Sequence, residues 1–258
     1  MSEGSPPPPE GYEGFEVRGA HVVARTDAAS GVRQAMASAT LYAWASRHPA
    51  ARTLTGRIPA YAVPLPGGGP TVVVRHAQHG GLLAPLTGDR FLAPTRAPQE
   101  LDASLKLCAA GVPTPEIVAY ALYPAGPLLA RSDVATLLVQ DSRDLAAVLV
   151  GEDEGARRDA LDATAALLRA LTEAGAHHPD LNIKNVLVAP APEGGLRAYV
   201  LDVDRVAFSP KRPRIAVANF GRLVRSARKW RELYAAKITD EELERLAREA
   251  GVPWTAKK

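Results

Sequence analysis

The stretch His177-His178-Pro179-Asp180-Leu181-Asn182-Ile183-Lys184-Asn185-Val186-Leu187-Val188, with Arg197-Ala198-Tyr199-Val200-Leu201-Asp202-Val203-Asp204-Arg205 after it, organises the reading of the whole chain. An amphipathic helix is expected before it, from Ala156 to Ala174, with Leu161, Ala165, Leu168 and Leu171 inward and Gly175 as its stop. Val186 to Val188 reads as a short strand, Glu193-Gly194-Gly195 as a turn, and Arg197 to Val203 as the returning strand. The unit is therefore helix, His-x-Asp-Leu-x-x-x-Asn, strand, turn, strand, Asp.

This order has chemical content. A loop carboxylate, an amide five residues later and a second carboxylate at the end of the paired strand can converge on one cavity. Asn185 and Asp202 are hard oxygen donors of the kind that suit Mg2+, a cation that keeps several waters and takes few protein ligands. Asp180 is then free to orient an attacking hydroxyl and accept its proton. Phosphoryl transfer asks for little more than positioning and charge neutralisation. A His-x-Asp tripeptide alone means nothing. The full pattern, with an Asp 17 residues beyond the Asn, is far more specific.

Outside this stretch, the chain of 258 residues suits a two-part enzyme of ordinary globular composition, 47% hydrophobic and 23% charged. Its single cysteine, Cys108, excludes an internal disulfide and a cysteine metal cluster, and reads as a small core residue. The start, MSEGSPPPPE, lacks the basic and apolar run of a signal peptide, and its prolines read as a disordered leader. No run approaches the roughly 18 to 20 apolar residues of a membrane span, so a soluble or peripheral protein is expected. Charge is segregated: residues 205–231 hold nine Lys or Arg and no acid, against 22 basic and 28 acidic residues elsewhere. Such a field suits an anionic partner, although a solvated helix face explains it equally. No nucleic acid is expected, because aromatic residues make up only 5% and no recognition motif is present.

Gly31 to His48 reads as one amphipathic helix. Ile58 to Pro66 and Thr71 to His76 read as a hairpin around Gly67-Gly68-Gly69, and Glu100 to Ala110 as a helix opened by Pro98 and closed by Gly111. That helix is expected to bury Leu101, Leu105 and Cys108. Val112 to Glu116 is an extended connector, Val134 to Gln140 a buried strand, and Ser142 the cap of a helix from Arg143 to Val150. A basic helix from about Arg214 to Ala236 and a last helix with a Thr239/Glu242 capping box close the chain. Strand-rich then helix-rich order argues for an α+β protein in two parts.

The loop resembles the catalytic loop of protein kinases, and more closely that of the lipopolysaccharide kinases acting on 3-deoxy-D-manno-octulosonic acid (Kdo) of lipid A. Val72-Val-Val-Arg-His76 with Gly80-Gly81, Gly88-Asp-Arg-Phe91, Gly111-Val-Pro-Thr-Pro115, His178-x-Asp-Leu-Asn182, Leu201-Asp-x-Asp-Arg205 and Asn219 to Ser226 are similar to that family, roughly over residues 55 to 230. The resemblance implies a two-lobed protein-kinase-like α+β fold: a leader and helix over residues 1–50, a β-rich N-lobe over 51–140 and a mostly helical C-lobe over 141–258.

It also implies ATP and Mg2+ as cofactors, Asp180 as base, and Asn185 and Asp202 as metal ligands. Asp204 either helps bind metal or holds Arg205. Arg75 stands where protein kinases carry the lysine that grips the α- and β-phosphates, and Glu100 is its candidate partner or else a first-turn acid. His178 is expected to orient the loop, and Lys184 to meet the γ-phosphate or solvent. Gly56 is the best candidate for the phosphate cover, and Gln140 would lie at a hinge meeting adenine. The acceptor implied is Kdo-lipid A or a related anionic glycolipid. Residues 205–231 would then dock on an anionic membrane, at the cytoplasmic face of a bacterial inner membrane. A kinase of another small molecule or of protein Ser/Thr, and a pseudokinase adaptor, remain open on the same fold. The lack of an Ala-Pro-Glu segment after Asp202 disfavours the protein kinase, and Arg75 in place of Lys keeps the adaptor open.

Overall fold

The structure is a computed structural model that describes residues 7–54, 58–77, 91–92, 95–126, 129–151 and 153–254. The chain divides into two compact units, Met1–Leu101 with Glu116–Leu138, and Asp102–Pro115 with Val139–Lys258.

The first unit is built on β1 (Tyr12–Val17), β2 (Ala20–Arg25), α1 (Ala29–Ala35), α2 (Leu41–Arg47), β3 (Arg52–Leu54), β4 (Ala60–Pro64), β5 (Thr71–His76) and β6 (Phe91–Leu92). Helix α3 (Ala97–Ala109), in which the division falls, precedes β7 (Ile117–Gly126) and β8 (Leu129–Leu137). The strands form one antiparallel sheet in the order β1-β2-β7-β8-β5-β4-β3, with β6 on β8. The β4–β5 hairpin expected around the glycine turn is present, with Pro64 opposite Thr71.

Residues 12–25, placed by the sequence in a leader and helix, form the β1–β2 hairpin at the sheet edge. The signal is weak for a physical reason. Only Tyr12 and Phe15 of this edge strand are buried, and being three residues apart they lie on opposite faces, so the alternation by which a strand is read is absent. Its two-residue turn takes left-handed backbone at both Arg18 (φ 52°) and Gly19 (φ 77°), which twists the strands in their preferred sense.

The single helix expected over Gly31 to His48 is two helices, α1 and α2. Thr40 breaks the run, because its hydroxyl caps the Ala43 N–H at 3.2 Å. Two more orphan donors at this end are met by distant side chains: Leu41 N–H by the Tyr123 hydroxyl and Tyr42 N–H by the buried Asp133 carboxylate, both at 2.9 Å.

In α3 the buried residues are Ala97, Glu100, Leu101, Ala103, Ser104 and Leu107; Leu105 is half-buried and Cys108 is exposed. The expected phase, through Leu105 and Cys108, fails because Glu100 is drawn inward by an ion pair with Arg75. Counting apolar residues alone treats that glutamate as solvent-facing and rotates the helix the wrong way.

The second unit contains β9 (Arg143–Asp144), α4 (Leu145–Val150), α5 (Glu154–Glu173), β10 (Ala176–His177), β11 (Val186–Pro190), β12 (Leu196–Val200), β13 (Ala207–Phe208), α6 (Arg212–Tyr234) and α7 (Asp240–Glu249). Helix α5 is its centre. Leu161, Ala165, Leu168 and Leu171 are all buried, as their spacing predicts, in a core shared with Leu181, Ile183, Phe220 and Leu246. Each buried leucine contributes roughly 1.5–3 kcal/mol.

Strand β8 stops at Leu137, short of the expected Gln140. Asp144, not Ser142, caps α4, accepting from Ala147 N–H at 2.7 Å, while the Ser142 hydroxyl turns back to the Val139 carbonyl. Strand β12 ends at Val200 rather than Val203. The Thr239/Glu242 capping box is present on α7.

Candidate active site

The loop after α5 is held at both ends before it carries any chemistry. Gly175 has φ +67°, and a Cβ there would stand 2.4 Å from the Ser209 carbonyl oxygen, so only glycine fits. Strand β10 then pairs with β13 and delivers His178 into the interior, where it is 1% exposed. Its backbone N–H donates to the Asn219 side-chain oxygen at 3.0 Å, and the Asn219 amide donates to the Ala176 carbonyl at 2.9 Å.

The His178 ring is the clasp of the site. Nδ1 accepts from the Asp180 N–H at 3.2 Å, and Nε2 faces the Leu201 carbonyl at 2.8 Å. A backbone N–H only donates and a carbonyl only accepts, so the proton sits on Nε2. One ring thus fixes both the residue bearing the loop carboxylate and the neighbour of Asp202.

A second link runs beside it. The Asp180 carbonyl accepts from the side-chain amides of Asn182 (3.1 Å) and Asn185 (3.0 Å). The Asn182 oxygen accepts from the N–H groups of Lys184 and Asn185, and the Asn185 carbonyl accepts from Leu201 N–H at 2.9 Å. Asp180, Asn185 and the Leu201–Asp202 segment therefore lie within a few hydrogen bonds of one another.

Asp202 itself is left-handed (φ 60°, ψ 47°) and opens a 3-10 turn, Val203–Arg205, that contains Asp204. That conformation costs about 1 kcal/mol for a residue with a side chain. Such local strain is a common mark of functional positions. The sequence places Asp202 at a strand end; the structure sets it two residues past the strand, directly before the 3-10 turn.

Among the described residues, no hydrogen bond or ion pair engages the carboxylate of Asp180 or Asp202, and both residues are exposed. The Asn185 amide nitrogen is already used, leaving its oxygen for a cation. Among the described residues no group of three or more His, Cys, Asp or Glu is arranged to hold a metal on its own. The donor set fits Mg2+ held by an amide and a carboxylate oxygen, the rest of its shell coming from phosphate and water.

In the first unit, Arg75 on β5 is ion-paired and hydrogen-bonded to Glu100 on α3. The glutamate side chain is 7% exposed and the arginine 33%. A carboxylate this buried needs such a partner. Lys184 pairs instead with Asp144 at 2.7 Å, and its ammonium lies 5.8 Å from the Trp230 ring. Gln140 is exposed in a turn. Gly56 and the stretch 78–90 lie outside the described residues. The sequence reading passes over Asp144, which both caps α4 and holds Lys184. It also assigns nothing to Asn219, a fully buried amide on the basic helix.

The chain matches the Lipopolysaccharide kinase (Kdo/WaaP) family over residues 55–249. It belongs to that family. A 3-deoxy-D-manno-octulosonic acid kinase of Xanthomonas oryzae pv. oryzae (strain PXO99A) is 30% identical over 205 residues, 77% of this chain and 78% of that protein. Kinases of the same name from Actinobacillus succinogenes and Haemophilus influenzae (strain PittEE) are each 30% identical, over 53% of this chain. The match spans 58% of the length of each of those two relatives. Among solved structures, WaaP in complex with acyl carrier protein aligns with a TM-score of 0.50 at 21% identity, covering 78% of each chain. The Kdo/WaaP member described here thus has the protein-kinase-like fold its motifs predict. The family match begins at residue 55, whereas the sheet it enters begins with β1 at Tyr12.

Proposed function

We propose that this chain transfers the γ-phosphoryl group of Mg-ATP to a hydroxyl of Kdo on lipid A, in lipopolysaccharide biosynthesis. The observation that supports this best is the double tie of Leu201 to His178 and Asn185, which gathers Asp180, Asn185 and Asp202. Asp180, exposed and with no side-chain partner among the described residues, accepts the proton of the acceptor hydroxyl as its oxygen attacks the γ-phosphorus and ADP departs. Asn185 and Asp202 hold Mg2+, which neutralises triphosphate charge. Arg75, steadied by Glu100, binds the α- and β-phosphates. His178 positions the loop and makes no contact with substrate. Lys184, held by Asp144, acts as a brace for the loop.

Residues 205–231 are the surface by which the enzyme meets an anionic bilayer. Arg228 and Arg231 are paired with Asp240. Arg205, Lys211, Arg212, Arg214, Arg222, Arg225 and Lys229 have no acidic partner among the described residues, and Phe208 and Val217 are exposed among them. Each unpaired cation near an anionic surface adds about 1 kcal/mol. No described helix is long and apolar enough to cross a membrane. Docking at the cytoplasmic face of a bacterial inner membrane follows from this reading.

The test is direct. Purified chain with radiolabelled Mg-ATP should label Kdo-lipid A, and Asp180→Ala should abolish labelling while ATP still binds. Labelling of peptides alone would reject the substrate assignment, and undiminished turnover of Asp180→Ala would remove it as base.

A further inference from the structure

Helix α6 touches the loop through one stripe, and one member of that stripe, Arg222, makes no hydrogen bond or ion pair among the described residues. Asn219 holds the loop at Ala176 and His178. Ser226, seven residues on, accepts the Ile183 N–H at 3.3 Å. Positions i, i+3 and i+7 share one helix face, so Arg222 lies between these two anchors. The loop residues spanned by the anchors are 178 to 183, with Asp180 among them.

Arg222 is half-buried there, and among the described residues it has no hydrogen bond, ion pair or aromatic partner. The two arginines nearer the end of the helix behave differently: Arg228 and Arg231 are both tied down by Asp240. A half-buried guanidinium with no counter-ion is an unfavourable arrangement unless an anion arrives. Its charge is felt at the loop: burial, and then the positive charge of Arg222, hold His177 below the ordinary imidazole range.

We infer that Arg222 is the receptor for an anionic group of the acceptor, setting the hydroxyl to be phosphorylated against Asp180. The chemistry it recognises is a planar or tetrahedral oxyanion, gripped by two parallel N–H donors. A sugar-acid carboxylate and a sugar phosphate both fit that description. The inference rests on the proposed lipopolysaccharide kinase reading, and assigns within it the residue that selects the acceptor. Arg222 thereby separates from the more exposed cations of residues 205–231, which act on the bilayer without selecting a sugar.

The experiment compares Kdo-lipid A with two derivatives, one with the Kdo carboxylate converted to carboxamide and one with the lipid A phosphates removed. Wild-type enzyme should disfavour one derivative by about tenfold or more in kcat/KM, mainly through the acceptor KM. Arg222→Met should level that difference with the KM for ATP unchanged, and Arg222→Lys should restore part of it. Which derivative loses discrimination identifies the anion. Full discrimination by Arg222→Met would overturn the inference.

A second readout is independent of turnover: the His177 imidazole followed by NMR while free Kdo or inorganic phosphate is added. A shift that vanishes in Arg222→Met supports the site, even if wild-type enzyme phosphorylates none of the lipids. That combination would sink the substrate reading alone. A shift that persists unchanged in Arg222→Met overturns the anion site.

Discussion

Replacing Asn219 by leucine isolates the contact that seats the loop. The two side chains share one branched skeleton, so the change opens no cavity, although the bulkier methyl groups add some overpacking, and it removes two hydrogen bonds from a position with 0% exposure. His178 N–H loses its acceptor and the Ala176 carbonyl loses its donor. A buried backbone group left unsatisfied costs about 1–3 kcal/mol, so the two together predict a loss of roughly 2–6 kcal/mol. Because the chain has two units, the loss belongs to the second one, and a single global midpoint would blur it. Native-state hydrogen exchange resolves it. The amides of His178 and Asp180 should exchange faster by a factor of about 30 or more, while those of β2 and β7 in the first unit stay unchanged. Phosphoryl transfer should fall with them, since His178 positions both Asp180 and Leu201. Exchange at His178 within threefold of wild type would refute the claim that Asn219 holds the loop.

Other perturbations test separate parts. Asp202→Gly should be neutral or stabilising by up to about 1 kcal/mol in urea unfolding, because it relieves left-handed backbone, yet it should abolish transfer. A clear loss of stability would contradict the strain. Gly175→Ala should destabilise the second unit by about 2 kcal/mol or more, since backbone at Ser209 blocks the added carbon; a wild-type melting curve would show that the β10–β13 pairing yields easily. Glu100→Gln should raise the KM for ATP several-fold with a smaller change in kcat, and an unchanged KM would detach the Arg75 pair from nucleotide binding. For His177 the native state binds protons less readily than the unfolded chain, so stability should rise with pH between its depressed pKa and about 6.5. His177→Asn should flatten that slope, and an identical slope would contradict the shift.

Much of the site is legible in the letters because its pieces are local. His178, Asp180 and Asn185 sit on one loop, and Asp202 follows by one hairpin, so sequence order nearly dictates proximity. The pairing of Arg75 with Glu100 is also legible, but only through the family resemblance, since 25 residues separate them. What is lost depends on contacts between distant segments. Edge strand β1 declares two buried residues only, and it joins the sheet through β2, whose other partner, β7, lies about a hundred residues later in the chain. The phase of α3 is set by an ion pair, which hydrophobic counting cannot see. Asp133, 0% exposed, accepts from Tyr42 N–H and the Tyr123 hydroxyl and meets His76 at 2.6 Å. A carboxylate inside a strand contradicts binary patterning, and its reason appears only when α2, β5 and β7 are in place.

The central claim is best tested by a crystal structure of the chain with Mg2+ and a non-hydrolysable ATP analogue. One metal is expected, with the Asn185 side-chain oxygen and the Asp202 carboxylate at about 2.0–2.1 Å, phosphate oxygens completing its shell, and Asp180 nearby but not coordinating. A metal bound to the triphosphate without Asn185 and Asp202, or an Asp180 carboxylate facing away from the γ-phosphate, would contradict it.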